Sequence, residues 1–327
     1  MNFQKIRSIR EPEFFIEVAL GRADKRGSLK REGQQKRLTK LDKSKNIELI
    51  RVQVFAETLK SQLRAIRESF PEFDQLDPFY HSLVRVCIDY NRMKKSLGAL
   101  NWAEDKIADL HRVTARSIRH ARLISAINNY RKSLVGRCKS VLHQIRDELA
   151  FLESARKILR KFPVIKTDMF TVVLAGFPNV GKSTLLGALT GSTPKIASYP
   201  FTTQHLMLGY AHDIQFVDTP GLLDRLLSDR NDIELQAILG LKHLANTILF
   251  ILDPTEECGY PLSSQLALLK QIQDEFKIPI YVIVNKTDVL EQRPKIPYKN
   301  VLYISAQKKQ GLEGLWHLLL HREGRDE

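Results

Sequence analysis

The octapeptide Gly176-Phe-Pro-Asn-Val-Gly-Lys-Ser183 limits what this chain can become more than any other stretch, because it fits the phosphate-binding pattern GxxxxGK[ST]. It follows the apolar run Thr171 to Ala175 and precedes the helix-forming stretch Thr184 to Leu189. Strand, glycine loop and helix thus stand in the required order. The loop acts through its backbone. Gly176 and Gly181 let N–H groups curl around phosphate oxygens, and the following helix aims its positive dipole end at them. Asn179, Val180, Gly181, Lys182, Ser183 and Thr184 form the candidate cradle. Lys182 reaches the β- and γ-phosphates, and the Ser183 hydroxyl takes a place on Mg²⁺.

A chain of 327 residues is long enough for two cores. No apolar run has the length of a membrane span, and no apolar core of a signal peptide follows the basic start. A cytoplasmic, membrane-free protein is expected, most simply a monomer. Cys87, Cys138 and Cys258 are far apart, which argues against a disulfide framework and against zinc.

Charge divides the chain in two. Residues 1–166 hold 36 Lys and Arg against 19 Asp and Glu, an excess of 17, whereas residues 167–327 carry a net charge of −3. A boundary is expected at Pro163, between Lys161 and Asp168. The first part reads as helical. A short helix is expected near Glu11 to Leu20, followed by a basic stretch from Lys25 to Lys45. A second helical pattern runs from Ile47 to Ile66, and Asp77-Pro78 supplies an N-cap and a first-turn proline for another. One long pattern extends from Trp102 to Leu159 and is expected to break near Gly136. Runs of charge are usually solvated helix faces, but those carry acidic partners, and here acids are about half as numerous as bases. Unpaired like charge weakens a compact state, so a polyanionic partner is the more economical reading. Tyr80, Tyr90, Trp102 and Tyr130 are read as core residues rather than as platforms for bases.

After residue 166, short apolar strands alternate with helices, implying a mostly parallel six-stranded sheet covered on both faces. Two of the strands, near 206–217, form a hairpin that adds an antiparallel edge. The expected architecture is an α-helical bundle, residues 1–166, followed by an α/β phosphate-loop domain, residues 167–327.

Further motifs fall at strand ends. Asp218-Thr-Pro-Gly221 follows Ile214 to Val217, so Asp218 is a candidate Mg²⁺ ligand and the Gly221 N–H a candidate γ-phosphate donor. Asn285-Lys-Thr-Asp288 follows another strand. A carboxylate at 288 accepts from the N1–H and 2-amino groups of guanine, which adenine lacks, and Asn285, Lys286, Ser305 and Ala306 complete a base site. Together these residues argue for GTP over ATP. In Tyr199-Pro-Phe-Thr-Thr203, a threonine can bind Mg²⁺ and the γ-phosphate; Thr203 is preferred and Thr202 is the alternative. Leu222 stands where many small GTPases have a water-orienting glutamine, so turnover is expected to be slow. Asn179 could hold K⁺ near the β–γ bridge and supply the missing charge. Lys182, Asn179, Thr203 and Gly221 are therefore the candidate catalytic set.

These motifs resemble those of Obg-type GTPases, and the chain is most similar to the nucleolar GTP-binding protein 1 family. The particular matches are Asp77-Pro-Phe-Tyr80, Asp147-Glu-Leu-Ala-Phe-Leu152, Arg230-Asn231 with Ile233-Glu234 and Gln236-Ala237, and Asp253 with Glu257-Cys258-Gly259. The resemblance implies a helical domain before a GTPase domain and a role in assembling the large ribosomal subunit. It also implies ribosomal RNA as a partner. Lacking a long stretch after Ser305, the chain looks like a compact archaeal-type member.

Overall fold

A computed structural model describes residues 3–32, 38–191, 194–199, 205–230, 232–299 and 301–321. Packing separates two compact units. One comprises Asn2–Glu72 with Ile88–Arg160, the other Phe73–Cys87 with Lys161–Glu327.

The first unit is helical: α1 (Pro12–Glu32), α2 (Lys40–Arg67), α4 (Tyr90–His120), α5 (Ile124–Gln144) and α6 (Arg146–Leu159). The short first helix expected from sequence instead runs on to Glu32, because Phe15, Ala19, Ala23 and Gly27 continue a buried stripe that packs on α2. Nor does the chain break at Gly136, which lies inside α5. The breaks fall at 121–123, where Ala121 and Leu123 are extended, and at Ile145. The core of α2 and α4 is Val52, Phe55, Leu59, Leu63, Met93, Leu100 and Ile107, all nearly fully buried. Two acids lie inside it with cationic partners: Glu48 meets Arg51 at 2.6 Å and Arg131 at 3.1 Å, and Glu104 meets Arg64 at 3.2 Å. Core packing is right for Tyr80 but not for Trp102, which is 43% exposed, or Tyr130 at 38%.

The second unit contains a sheet of seven strands, ordered β2-β3-β4-β1-β5-β6-β7. These are β1 (Phe170–Ala175), β2 (Lys195–Ala197), β3 (Leu206–Ala211), β4 (Ile214–Asp218), β5 (Thr247–Leu252), β6 (Ile280–Val284) and β7 (Val301–Tyr303). From β4 to β7 every pairing is parallel, and β3 joins β4 as the expected hairpin. Strand β2, absent from the six-strand reading, adds a second antiparallel edge. Helices α7 (Lys182–Thr190), α8 (Asp232–Lys242), α9 (Leu262–Glu275) and α10 (Leu312–Leu320) complete the unit.

One helix from the N-terminal part of the sequence also belongs here. Helix α3 (Pro78–Cys87) starts with the Phe79 N–H donating to Asp77 Oδ1 at 2.9 Å, as the cap residues predict. The Tyr80 hydroxyl, fully buried, accepts from the Ile165 N–H at 2.9 Å and lies 3.0 Å from the Pro163 carbonyl. Gln215 of β4 holds Lys166 through both N–H and carbonyl. These bonds move residues 161–166 and α3 into the sheet unit, so one cut near 166 describes the order of the chain rather than its packing. Tyr80→Phe leaves the buried Ile165 N–H without an acceptor and should cost about 1–3 kcal/mol, read as a lower denaturant midpoint with an unchanged m-value.

Candidate nucleotide site

Strand β1 is buried between β4 and β5, so its carboxyl end is fixed on both sides and the loop 176–181 leaves it at the point where strand order diverges. Gly176 and Gly181 have φ of 133° and 100°, as a loop built on backbone N–H groups demands. A Cβ at Gly181 would stand 2.2 Å from Asn285 Nδ2. That amide donates to the Val180 carbonyl at 2.9 Å, and its oxygen accepts from the Ala306 N–H at 2.9 Å. Asn285 therefore ties the loop to the segment after β7. Ala306, expected at the base site, has its N–H engaged by Asn285.

Lys182 is 7% exposed and donates to the Gly176 and Phe177 carbonyls, each at 2.8 Å. Burial lowers its pKa, while Asp218 and Asp224 work against that shift. Its direct partners are thus neutral dipoles. Ser183 Oγ donates to Asp218 Oδ2 at 2.6 Å; the other Asp218 oxygen is buried with no hydrogen-bond donor among the described residues. Burial raises the Asp218 pKa, opposed by the Ser183 hydroxyl and Lys182.

Beyond Asp218, the Gly221 N–H donates to Asp224 Oδ2 at 2.7 Å. Arg230 is buried and donates to the Gly221 carbonyl at 2.5 Å, the Leu222 carbonyl at 2.6 Å and Asp224 Oδ1 at 3.1 Å. Leu222 is wholly buried, and its side chain has no group that could orient water. Thr202 and Thr203 lie outside the described residues; Tyr199, just before them, is buried against Phe79 of α3 with ring centroids 6.4 Å apart.

The base end is open. Asp288 is exposed, and a hydrogen bond from Ser305 holds its pKa below the ordinary aspartate value. Lys286, at φ 58°, donates to buried Asp253 at 2.7 Å and to Glu257 at 3.3 Å. Asp253 also accepts from Thr255 and from the Cys258 N–H. Burial alone would raise its pKa, but the donors from Lys286 and Thr255 leave it lowered. A cleft of about 310 Å³ spans Asn179, Gly181, Asn285, Lys286, Asp288 and Ser305. A second of about 490 Å³, bordered by Lys182, Ser183 and Asp224, shares Asn179, Gly181 and Thr184 with it. A ligand with a planar end and a polyanionic end fits that pair.

Sequence reasoning assigned no role to Asp224, Arg230 or Asp253. Asp253 had a legible signal: it stands directly after β5, as Asp218 ends β4 and Asn285 follows β6. Asp224 and Arg230 act on backbone groups, which leave no trace in residue type.

Fold and site together define a phosphate-loop protein of the GTPase fold class whose sequence begins with a helical domain. The family model described as NOG1 N-terminal helical domain matches residues 3–166, and the model for nucleolar GTP-binding protein 1 matches residues 232–288. An uncharacterised protein of Methanocaldococcus jannaschii is 46% identical over 290 residues, covering 89% of this chain and 82% of its own. The probable nucleolar GTP-binding protein 1 of Dictyostelium discoideum is 31% identical, covering 97% of this chain and 48% of its own, so the chain spans about half the length of that relative. A Plasmodium falciparum crystal structure described as a candidate nucleolar GTP-binding protein 1 is 32% identical, covering 47% of this chain and 85% of that one at a TM-score of 0.42. By the family matches and the identities, the chain belongs to the nucleolar GTP-binding protein 1 family.

Asp253→Asn removes a buried charge that several donors address, and should cost about 2 kcal/mol at neutral pH. Because the folded-state pKa is depressed, this stabilisation is complete above the ordinary aspartate range and is lost as pH falls through the folded value. Denaturation curves of the two proteins should therefore differ at neutral pH and converge in acid.

Proposed function

We propose that the chain binds and hydrolyses GTP and acts in the cytoplasm as a nucleotide-switched factor on the large ribosomal subunit or its precursor, with ribosomal RNA as a contact. The observation that carries this reading is the convergence of Lys182, Ser183 and Asp218 at one end of a joined cleft and Asp288 with Ser305 at the other. Lys182 lacks a direct anionic partner, so β- and γ-phosphate oxygens are better acceptors than the two carbonyls it now holds. Ser183 and Asp218 would hold Mg²⁺: a buried carboxylate oxygen without a donor, beside a hydroxyl, is the hard oxygen set that ion takes. When bound, the ion neutralises charge on the phosphates.

Asp224 gives the switch its contact to break. Its carboxylate occupies the Gly221 N–H that a γ-phosphate would use, and two anions cannot share one donor. GTP displaces Asp224, while Arg230 keeps the Gly221 and Leu222 carbonyls in place. On the other side, Tyr199 leads into the threonine pair and packs on α3, which is continuous in sequence with α2 and α4. Helix α3 is the route by which nucleotide state reaches the basic helices. Thr203, or Thr202, would add a hydroxyl to the groups that hold Mg²⁺. Leu222 offers no hydrogen bond to water, so turnover is slow until K⁺ at Asn179 or a ribosomal partner supplies charge.

Asp288→Asn exchanges the guanine-accepting carboxylate for an amide. Titration with labelled nucleotides should show GTP affinity lower by about a hundredfold and a preference for xanthosine triphosphate; unchanged GTP selectivity would remove Asp288 from the base site. GTP turnover should be faster in KCl than in NaCl and faster again with large ribosomal subunits. Those subunits should retain the chain with a non-hydrolysable GTP analogue and release it with GDP. Equal rates in all salts and no co-sedimentation would leave a GTP-gated module without the ribosomal role.

A further inference from the structure

From Leu110 to Arg146 the chain has no aspartate or glutamate, yet it carries nine lysines and arginines. This run covers the end of α4, the turn and all of α5. Helical periodicity splits it cleanly. Ile127, Leu134, Cys138, Val141 and Leu142 of α5 are buried, and the opposite face presents Lys132, Gly136, Arg137 and Lys139, with Arg116, Arg119 and Arg122 exposed at the end of α4 and in the turn. Arg112, Arg131 and Arg146 have acidic partners in Asp109, Glu48 and Glu11. Arg116, Arg119, Arg122, Lys132, Arg137 and Lys139 have no ion-pair partner among the described residues.

Neither feature of this face helps the fold. In α4, Arg116 stands four residues from Arg112 and three from Arg119, spacings at which like charges destabilise a helix; in α5, Lys132, Arg137 and Lys139 repeat one sign, and an exposed mid-helix glycine weakens the helix relative to alanine. Gly136 sits among those charges, and a Cβ there would meet nothing within 4 Å. Its absence opens the helix surface without relieving any internal clash. A phosphate backbone accounts for both: the cations neutralise it, and the missing side chain lets it come close, flanked by the Ser133 and Ser140 hydroxyls. Tyr130, six residues earlier, 38% exposed and at the edge of this face, offers a ring to an unpaired base, which an acidic protein would not use.

We propose that the outer face of α5 around Gly136, together with the basic end of α4, is the surface on which the phosphate backbone of RNA lies. It rests on the reading of RNA as a partner and gives that partner a place. The test is filter binding of the full chain to purified large-subunit ribosomal RNA over a KCl series. The triple variant Lys132→Gln, Arg137→Gln, Lys139→Gln should bind about a hundredfold more weakly at physiological salt, with a salt slope shallower by about two to three. Lys25→Gln, Arg26→Gln, Lys30→Gln, which removes as much charge from α1, should bind like the unmodified chain. Gly136→Gln should raise the thermal midpoint by about 2–4 °C while weakening RNA binding several-fold, so stability and binding move in opposite directions. Equal loss in both triple variants, or full binding by Gly136→Gln, overturns the proposal. Tight binding unaffected by the α5 triple would discard this surface and keep RNA as a partner. No binding by the unmodified chain would remove both. Competition by polyglutamate as strong as by poly(U) would assign the face to an acidic protein and overturn it as well.

Discussion

A single amide determines how the loops of the nucleotide site sit together. Asn285 is nearly fully buried at the end of β6, with its nitrogen on the Val180 carbonyl and its oxygen under the Ala306 N–H. Three segments that meet nowhere in sequence are thereby held at hydrogen-bond distance. The cost of disrupting this contact exceeds one bond, since a lost amide would leave a carbonyl and an N–H unsatisfied in a dry place. It also explains why position 181 must be glycine on two separate counts: a positive φ, and an amide nitrogen standing where a Cβ would go.

Around that frame the charges are arranged in exchangeable pairs. Lys182 rests on two carbonyls, Ser183 on Asp218, the Gly221 N–H on Asp224, and Arg230 on both carbonyls of that same turn. Each phosphate-directed group is therefore satisfied by a weaker or competing partner. Burial raises the Asp218 pKa and lowers that of Lys182, which marks both as groups whose charge is poorly solvated as they stand. Such a site gains from a polyanion with its cation because both ions arrive already paired.

Much of this was legible in the sequence, and the reason is local. A phosphate loop works by residue type at fixed spacing, so Gly176 to Ser183, Asp218 and Asn285 to Asp288 could be read from letters alone. Strand β2 could not be, because it has three residues and Ile196 is 73% exposed, leaving no buried alternation to detect. The break between α4 and α5 was hidden by apolar residues that keep helical spacing across it: Ile118 and Ile127 are buried, but Leu123 between them is 65% exposed. Helix α3 was read correctly as a helix and assigned to the wrong neighbours. Its membership in the sheet unit depends on the Tyr80 hydroxyl meeting backbone groups more than eighty residues away, which no local pattern encodes.

The charge imbalance of the helical unit persists after the ion pairs of its interior are formed. Glu48 and Glu104 are buried and consumed by Arg51, Arg131, Arg64 and Arg67, while Glu153 accepts from Arg156 and from the Ile9 N–H. Acids spent inside in this way cannot screen the outer helices. Arg51 and Arg156 are themselves largely buried with the acids they meet. Between residues 110 and 146 the exposed cations have no acid of that stretch to screen them. A helical unit that needed only solubility would gain more from alternating signs, which stabilise a helix through neighbouring pairs and avoid self-repulsion. The persistence of one sign on one face is therefore a cost that brings the helical unit's own fold no gain.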